Sequence, residues 1–200
     1  MQNNIKPSFL STIPPCDIIM QLDNMLAGGL ETVAIDLANS LQKRGYRVAI
    51  LVLGNAGKDA KKAVALGLQV CVIPFEEDVL RQQLIEATPK VVFAHYSFQG
   101  TDLYAKLNIP FIQVVHNVYA WLDESGRQNF TNSIPNTMLF IAVSPVVREY
   151  TVQELGVPDE KCITIANGIE TLKFIPLTPQ EKAEKRKELG FAPDEYLFIS

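Results

Sequence analysis

Two histidines, one tryptophan and three cysteines are all that the 200 residues contain of those types, and each scarcity narrows what the chain can be. Cys16, Cys71 and Cys162 are odd in number and far apart. They show neither the paired spacing of a zinc site nor the dense even set of a disulfide-stapled domain, so a reducing cytoplasm is the expected compartment. No basic run occurs and the net charge is -4, which argues against nucleic acid as the primary partner. Long apolar runs are missing too. The stretch "QNNIKPSFLSTIPP" after Met1 has one lysine and no apolar centre, so it reads as a short irregular leader rather than a signal peptide or membrane span. No internal repeat or low-complexity tract stands out.

What is present is a hydrophobic share of 48% against 20% charged residues, enough apolar material for a sizeable core. The apolar residues come in short, nearly continuous runs: "CDIIMQL", "RVAILVL", "LQVCVIP", "KVVFAHY", "PFIQVVH" and "MLFIAVS". Such runs are the mark of strands buried on both faces. Between them lie amphipathic segments. In the clearest, Leu30, Val33, Ala34, Leu37, Ala38 and Leu41 form one stripe, and Gly45 supplies a left-handed stop after Lys43 and Arg44. Further helices are expected near Ala60 to Leu66, Asp78 to Ala87, Thr101 to Leu107 and Val146 to Leu155. The alternation predicts an α/β fold, a Rossmann-like parallel sheet with helices on both faces.

In such a sheet ligands gather at the carboxyl ends of the strands. Gly28 and Gly29 fall in a strand-to-helix loop there, where missing side chains let a ligand approach the backbone and the first helical amides suit a phosphate. The fingerprint Gly-x-Gly-x-x-Gly is absent, so a plain turn stays open as the other reading. Both histidines end strands on the same edge, His95 in "KVVFAHY" and His116 in "PFIQVVHN". An imidazole suits that place because it exchanges hydrogen bonds with a hydroxyl near neutral pH. Neither has a carboxylate or cysteine at ligand spacing, so no metal site is expected. Ser144 and Pro145 read as an N-cap and first helical residue, with no nucleophile elbow around the serine. Asn167 and Gly168, in "CITIANGIETLKFIP", read as a turn with positive backbone angles after a short strand.

Thr178, Pro179 and Glu181 open a highly charged helix that stops at Gly190, and "EYLFIS" reads as the start of a fresh strand. A strand without neighbours suggests an interruption at Ser200, with Pro176 to Pro179 as the boundary between residues 1–175 and a second, incomplete domain at 176–200.

Taken together, "AGGLETVAIDLANSLQKRGYRVAIL", "KVVFAHY", "PFIQVVHN", "FIAVSPVVREY" and "KCITIANGIETLKF", followed by "KRKELGFAPDEYLFIS", resemble the N-terminal half of a family 4 glycosyltransferase of the GT-B fold. The resemblance covers nearly all of the chain. It implies a retaining, hexosyltransferase-type enzyme that moves a sugar from a nucleotide-sugar donor to an acceptor, without a metal or other cofactor, in a cleft between two domains. It further implies that Gly28 and Gly29 meet the donor diphosphate and that His116 lies beside the reacting sugar, with His95 at a neighbouring strand end. Asn167 and Gly168 would line the cleft or shape its hinge, and His95, Trp121 and Ser144 are further candidates for the cleft or the acceptor site.

The family's donor-binding signature, two glutamates separated by seven residues, belongs to the second domain and occurs nowhere in this chain, so these 200 residues alone are expected to bind donor weakly and transfer little. The acceptor is expected to be a sugar, a lipid-linked molecule or another acceptor. The segment "VYAWLDESGRQNF", Val118 to Phe130, is expected to form a mobile flap over it, with Trp121 as ordinary core the alternative. No basic amphipathic face accompanies that segment, so direct membrane attachment is not expected, although a peripheral place at the inner membrane face stays open. A non-catalytic Rossmann-like module sensing a nucleotide sugar or small anion shares the glycine loop, and a nucleotide-sugar epimerase shares the two-domain fold.

Overall fold

A computed structural model describes residues 9–169, 171 and 174–198. The six apolar runs become β1 (Ile18–Leu22), β2 (Val48–Val52), β3 (Gln69–Val72), β4 (Val91–His95), β5 (Phe111–Val115) and β6 (Leu139–Ala142), and Cys162–Thr164 adds β7. All seven run parallel in one sheet ordered β3-β2-β1-β4-β5-β6-β7. The chain builds outward from β1 to β3, then crosses back to β4 on the other side of β1. That reversal makes β1 and β4 the switch point, where the loops leaving the strands part and open a crevice.

The helices are α1 (Gly29–Lys43), α2 (Lys58–Ala65), α3 (Glu77–Ala87), α4 (Thr101–Lys106), α5 (Glu124–Ser133) and α6 (Pro145–Gln153). Alternation along the strands divides the core between the two faces. Met20, Ile50 and Val52 pack with Ala34, Ile35 and Ala38 of α1 and Ala60 and Ala63 of α2. Ile19, Ala49 and Leu51 pack with Leu80 and Leu84 of α3 and Leu103 and Tyr104 of α4. A further group joins Phe130 of α5 to Phe140, Ala142 and Val147 at the β6 end. The expected fold class is therefore the one observed.

Local details differ. The stripe of α1 is rotated from the expected one: Ile35 is fully buried while Leu37 is 37% exposed, because the face that meets β1 and β2 centres on the small Ala34 and Ala38. Gly45 does end α1 in the left-handed region, at φ 92°. The leader is not wholly irregular. Leu10 exchanges backbone hydrogen bonds with the β3 edge, donating to the Val70 carbonyl at 2.8 Å and accepting from the Val72 amide at 3.0 Å, and Ile13 is buried. Residues 1–8 lie outside the described residues.

Contacts divide the chain into a unit ending at Ala166 and a second beginning at Asn167. Within the second, α7 (Pro179–Glu188) carries the expected capping box, Thr178 Oγ1 accepting from the Glu181 amide and the Glu181 carboxylate accepting from the Thr178 amide. Residues 195–198 form no strand, and 199 and 200 lie outside the described residues. Asn167 and Gly168 are exposed and neither adopts a positive φ, so the expected turn is not formed.

Candidate functional site

The carboxyl edge of β1, β4 and β5 brings the glycine loop and both histidines to one side of the sheet. The loop after β1 is built against the loop after β2. Met25 donates to the Asn55 carbonyl at 2.9 Å, Gly57 donates to the Met25 carbonyl at 2.8 Å, and the Asn55 amide donates to Asn24 Oδ1 at 2.9 Å. Two glycines permit this contact. A Cβ on Gly54 would lie 2.7 Å from the Asp23 carbonyl oxygen, and one on Gly57 would lie 3.0 Å from Leu26 Cα.

Gly28 and Gly29 are different. Gly28 is extended, at φ 176°, a conformation open to any residue, and a Cβ there would meet only the flexible end of Glu31; a Cβ on Gly29 would meet nothing within 4 Å. Neither the backbone nor the packing of the chain requires a glycine at either position. Gly28 donates to Asp59 Oδ2 at 3.2 Å, which pins the loop to the start of α2, and it gives α1 no side-chain cap. The first turn of α1 thus presents its amides at an exposed surface, with the Glu31 carboxylate lying against Gly28.

The histidines touch. His95 Nδ1 lies 2.9 Å from His116 Nε2, across neighbouring strands in which His95 pairs with Val114. His95 is enclosed, at 1% exposure, and burial together with the second ring pushes its pKa down to about 3. Burial lowers half-buried His116 to about 4. Both imidazoles are neutral at pH 7. The backbone amide of His116 donates to Tyr119 Oη at 3.1 Å, fixing the turn beyond β5.

Beside this pair lies a polar network that sequence patterns missed. Asp23, directly after β1, accepts from Ser97 Oγ at 2.6 Å and from Gln99 Nε2 at 3.0 Å. Buried Gln21 donates to Ser97 Oγ at 2.8 Å and to the Gln99 carbonyl at 3.0 Å, and accepts from Tyr104 Oη. Burial outweighs the two hydrogen bonds on Asp23 and raises its pKa. The loop reaches this geometry through Tyr96, which adopts φ 51°, an uncommon conformation for a tyrosine. An acid immediately following an apolar strand on the presumed ligand edge was the available signal.

The segment Val118 to Phe130 is exposed along its middle and buried toward both ends. Tyr119 and Phe130 are buried, and Asp123 caps α5 by accepting from the Gly126 amide at 2.8 Å. Trp121 is not core: it is 59% exposed and donates from Nε1 to Tyr96 Oη at 3.2 Å. Ser144 is a cap, its Oγ accepting from the Val147 amide at 3.2 Å. Among the described residues no three His, Cys, Asp or Glu side chains converge as metal ligands, and no helix is long and apolar enough to cross a membrane.

Comparison with known proteins now bears on this edge. Residues 27–172 match the model of Glycosyltransferase Family 4. No curated protein sequence matches. Among solved structures, HepE from Anabaena, crystallised with UDP, is 17% identical with a TM-score of 0.73, the alignment covering 87% of this chain and 50% of that one. A glycosyltransferase from Rickettsia africae is 18% identical with a TM-score of 0.71, covering 88% and 50%. UDP-GlcNAc 2-epimerase from Neisseria meningitidis, bound to UDP-GlcNAc, is more distant at 11% and 0.52, covering 86% and 51%. The chain therefore spans about half the length of these structures. With the family model matched over most of its length and the fold that of a GT-B N-terminal half, the chain belongs to glycosyltransferase family 4.

Proposed function

We propose that this chain forms the acceptor-side half of a retaining glycosyltransferase that moves a sugar from a nucleotide-sugar donor to a hydroxyl acceptor, with a second domain supplying the rest of the donor site. The observation that carries this reading is the pair Gly28 and Gly29. They stand where the folded chain itself has no need of glycine, at an uncapped helix start on the ligand edge, so an approaching ligand explains them best. A diphosphate is the ligand those amides suit, and the related HepE was crystallised with UDP.

Chemically, the site has to stabilise an oxocarbenium-like sugar and a departing nucleoside diphosphate. Oriented amides at the start of α1 act on the diphosphate and need no metal to do so. Neutral His116 exchanges a hydrogen bond with the sugar or acceptor and holds the reacting atoms in line. Asn167 and Gly168, in the second unit, then belong to the passage between the domains.

The test uses the protein extended through the second domain. Incubated with a panel of UDP-sugars and simple glycoside or lipid-linked acceptors, it should release UDP, whereas residues 1–200 alone should show no appreciable turnover. His116→Ala should lower kcat by about 100-fold while UDP affinity changes little. Robust turnover by the 200-residue chain would overturn the division of labour. Near-normal turnover of His116→Ala would remove His116 from the mechanism, and UDP binding without turnover on any acceptor would favour a sensing module.

A further inference from the structure

The contact between the two imidazoles has a directional consequence. A 2.9 Å approach of His95 Nδ1 to His116 Nε2 is an N–H···N hydrogen bond, which requires one proton and one lone pair between the two nitrogens. With both rings neutral, two arrangements satisfy it. In the first, His116 donates from Nε2, and His95 must carry its own proton on its Nε2. In the second, His95 donates from Nδ1, its Nε2 is a bare lone pair, and His116 carries its proton on Nδ1.

The surroundings of His95 discriminate between them. Its Nε2 is fully buried and has no hydrogen-bond partner among the described residues. The first arrangement would seal an unpaired N–H inside the protein; the second leaves an unpaired acceptor. Orphaned buried N–H groups are the rarer of the two in folded proteins. The rest of the geometry agrees with a positioning role. His95 is locked in the sheet at the end of β4, His116 stands one residue past the end of β5, and Tyr119 holds the His116 backbone amide from the other side. Of the two rings, half-buried His116 is the one a ligand can reach.

We propose that His95 is a positioning residue that fixes His116 as the Nδ1–H tautomer, so that His116 offers a hydrogen-bond donor, rather than a lone pair, to an oxygen of the bound sugar or acceptor. The catalytic part rests on the role given to His116 above; the tautomer does not.

Because the chain has only these two histidines, long-range proton–nitrogen correlation spectra of the nitrogen-15-labelled chain at pH 7 read both tautomers directly. The expected result is a protonated Nδ1 and a bare Nε2 on both rings. A proton on His116 Nε2 in the wild-type chain would overturn the proposal. His95→Phe should release His116 toward the Nε2–H form that a free neutral imidazole prefers. Should that variant fail to fold, His95→Asn, whose amide can donate from near the Nδ1 position, should keep the Nδ1–H form; loss of that form in a folded Asn variant would also overturn the proposal.

In the protein extended through the second domain, His95→Phe should lower kcat by roughly tenfold with donor KM little changed, and His95→Asn should restore most of it. If His116→Ala is impaired but His95→Phe is not, the positioning role fails and the proposed function stands. If both variants turn over normally while the spectra show the expected tautomer, the catalytic reading of His116 fails and the pairing stands.

Discussion

Two helices begin on the same sheet edge in opposite ways. At α6 the chain's own side chain takes up the helix start: Ser144 Oγ accepts from the Val147 amide, and Pro145 has no amide to offer. At α1 no side chain does so. Gly28 supplies no cap, and its own amide points to Asp59 instead. A capped start is an internal structural device, whereas an uncapped, exposed start of a long helix keeps donors and the positive end of the dipole available to an anion from outside. The difference separates two residues that sequence alone had both placed among the site candidates.

The comparison breaks most sharply if α1 is made to resemble α6. Gly28→Asp places a carboxylate cap on the amides assigned to the diphosphate and adds a negative charge beside Glu31. In the protein extended through the second domain, UDP affinity measured by calorimetry should fall about tenfold or more, close to 1.4 kcal/mol, without loss of thermal stability. Unchanged UDP affinity would remove the glycine loop from the donor site.

Gly54→Ala tests the support behind that loop. Its new Cβ would meet backbone, the Asp23 carbonyl oxygen at 2.7 Å, which no side-chain rotation can relieve. Urea denaturation should report a loss of about 1–3 kcal/mol. Gly29→Ala, with open space around the Cβ and a better helix former in place of glycine, should not destabilise the chain. Equal losses at both positions would mean that the two glycines serve the same structural purpose, contrary to the distinction drawn between them.

Acid sharpens the comparison in another way, through the neutral histidine pair on the same sheet edge. His95 faces His116, and His116 is held by Tyr119; burial keeps both imidazoles from protonating until pH about 3 and about 4. The unfolded chain takes up those protons near the ordinary imidazole pKa of about 6.5. Between those limits the unfolded state binds more protons, so stability is retained above about pH 6.5 and falls as pH drops toward 4. The slope contributed is about 1.4 kcal/mol per pH unit for each withheld proton. Asp17, whose pKa is lowered by its hydrogen bonds to Arg47 and Lys90, adds a loss of the same sign at lower pH, within the carboxylate range. Urea midpoints of wild type and His95→Phe between pH 7 and 5 isolate the histidine part: the variant should show the shallower decline, and equal slopes would refute it.

Much of the fold was legible because strands buried on both faces of a parallel sheet have to be apolar at nearly every position, as "VAILV" in β2 is. Helix α5 was not, since "ESGRQNFTNS" buries only Phe130 and Ser133 and carries almost no apolar period. Sequence placed the two histidines on one edge because each ends an apolar run. Their contact depends on the register that sets His95 against Val114, and no local pattern encodes that register. The Asp23, Ser97 and Gln99 network joins residues more than 70 positions apart, so spacing could not reveal it either. Trp121 and Tyr119 were read together in one flap segment, with Trp121 as core the alternative, yet only a packed structure could assign Trp121 to the surface and Tyr119 to the core.

The smallest expected effect falls on the other helix of the pair. Ser144→Ala removes the cap of α6 and leaves the Val147 amide without its partner, at a cost of about 1 kcal/mol in urea denaturation. UDP affinity of the protein extended through the second domain should stay at the wild-type value, because the hydroxyl is already engaged within its own helix. A stability loss with unchanged binding assigns Ser144 to the fold. A drop in UDP affinity out of proportion to the stability change would return Ser144 to the cleft, and would show that a helix start can be capped from within and still serve a ligand.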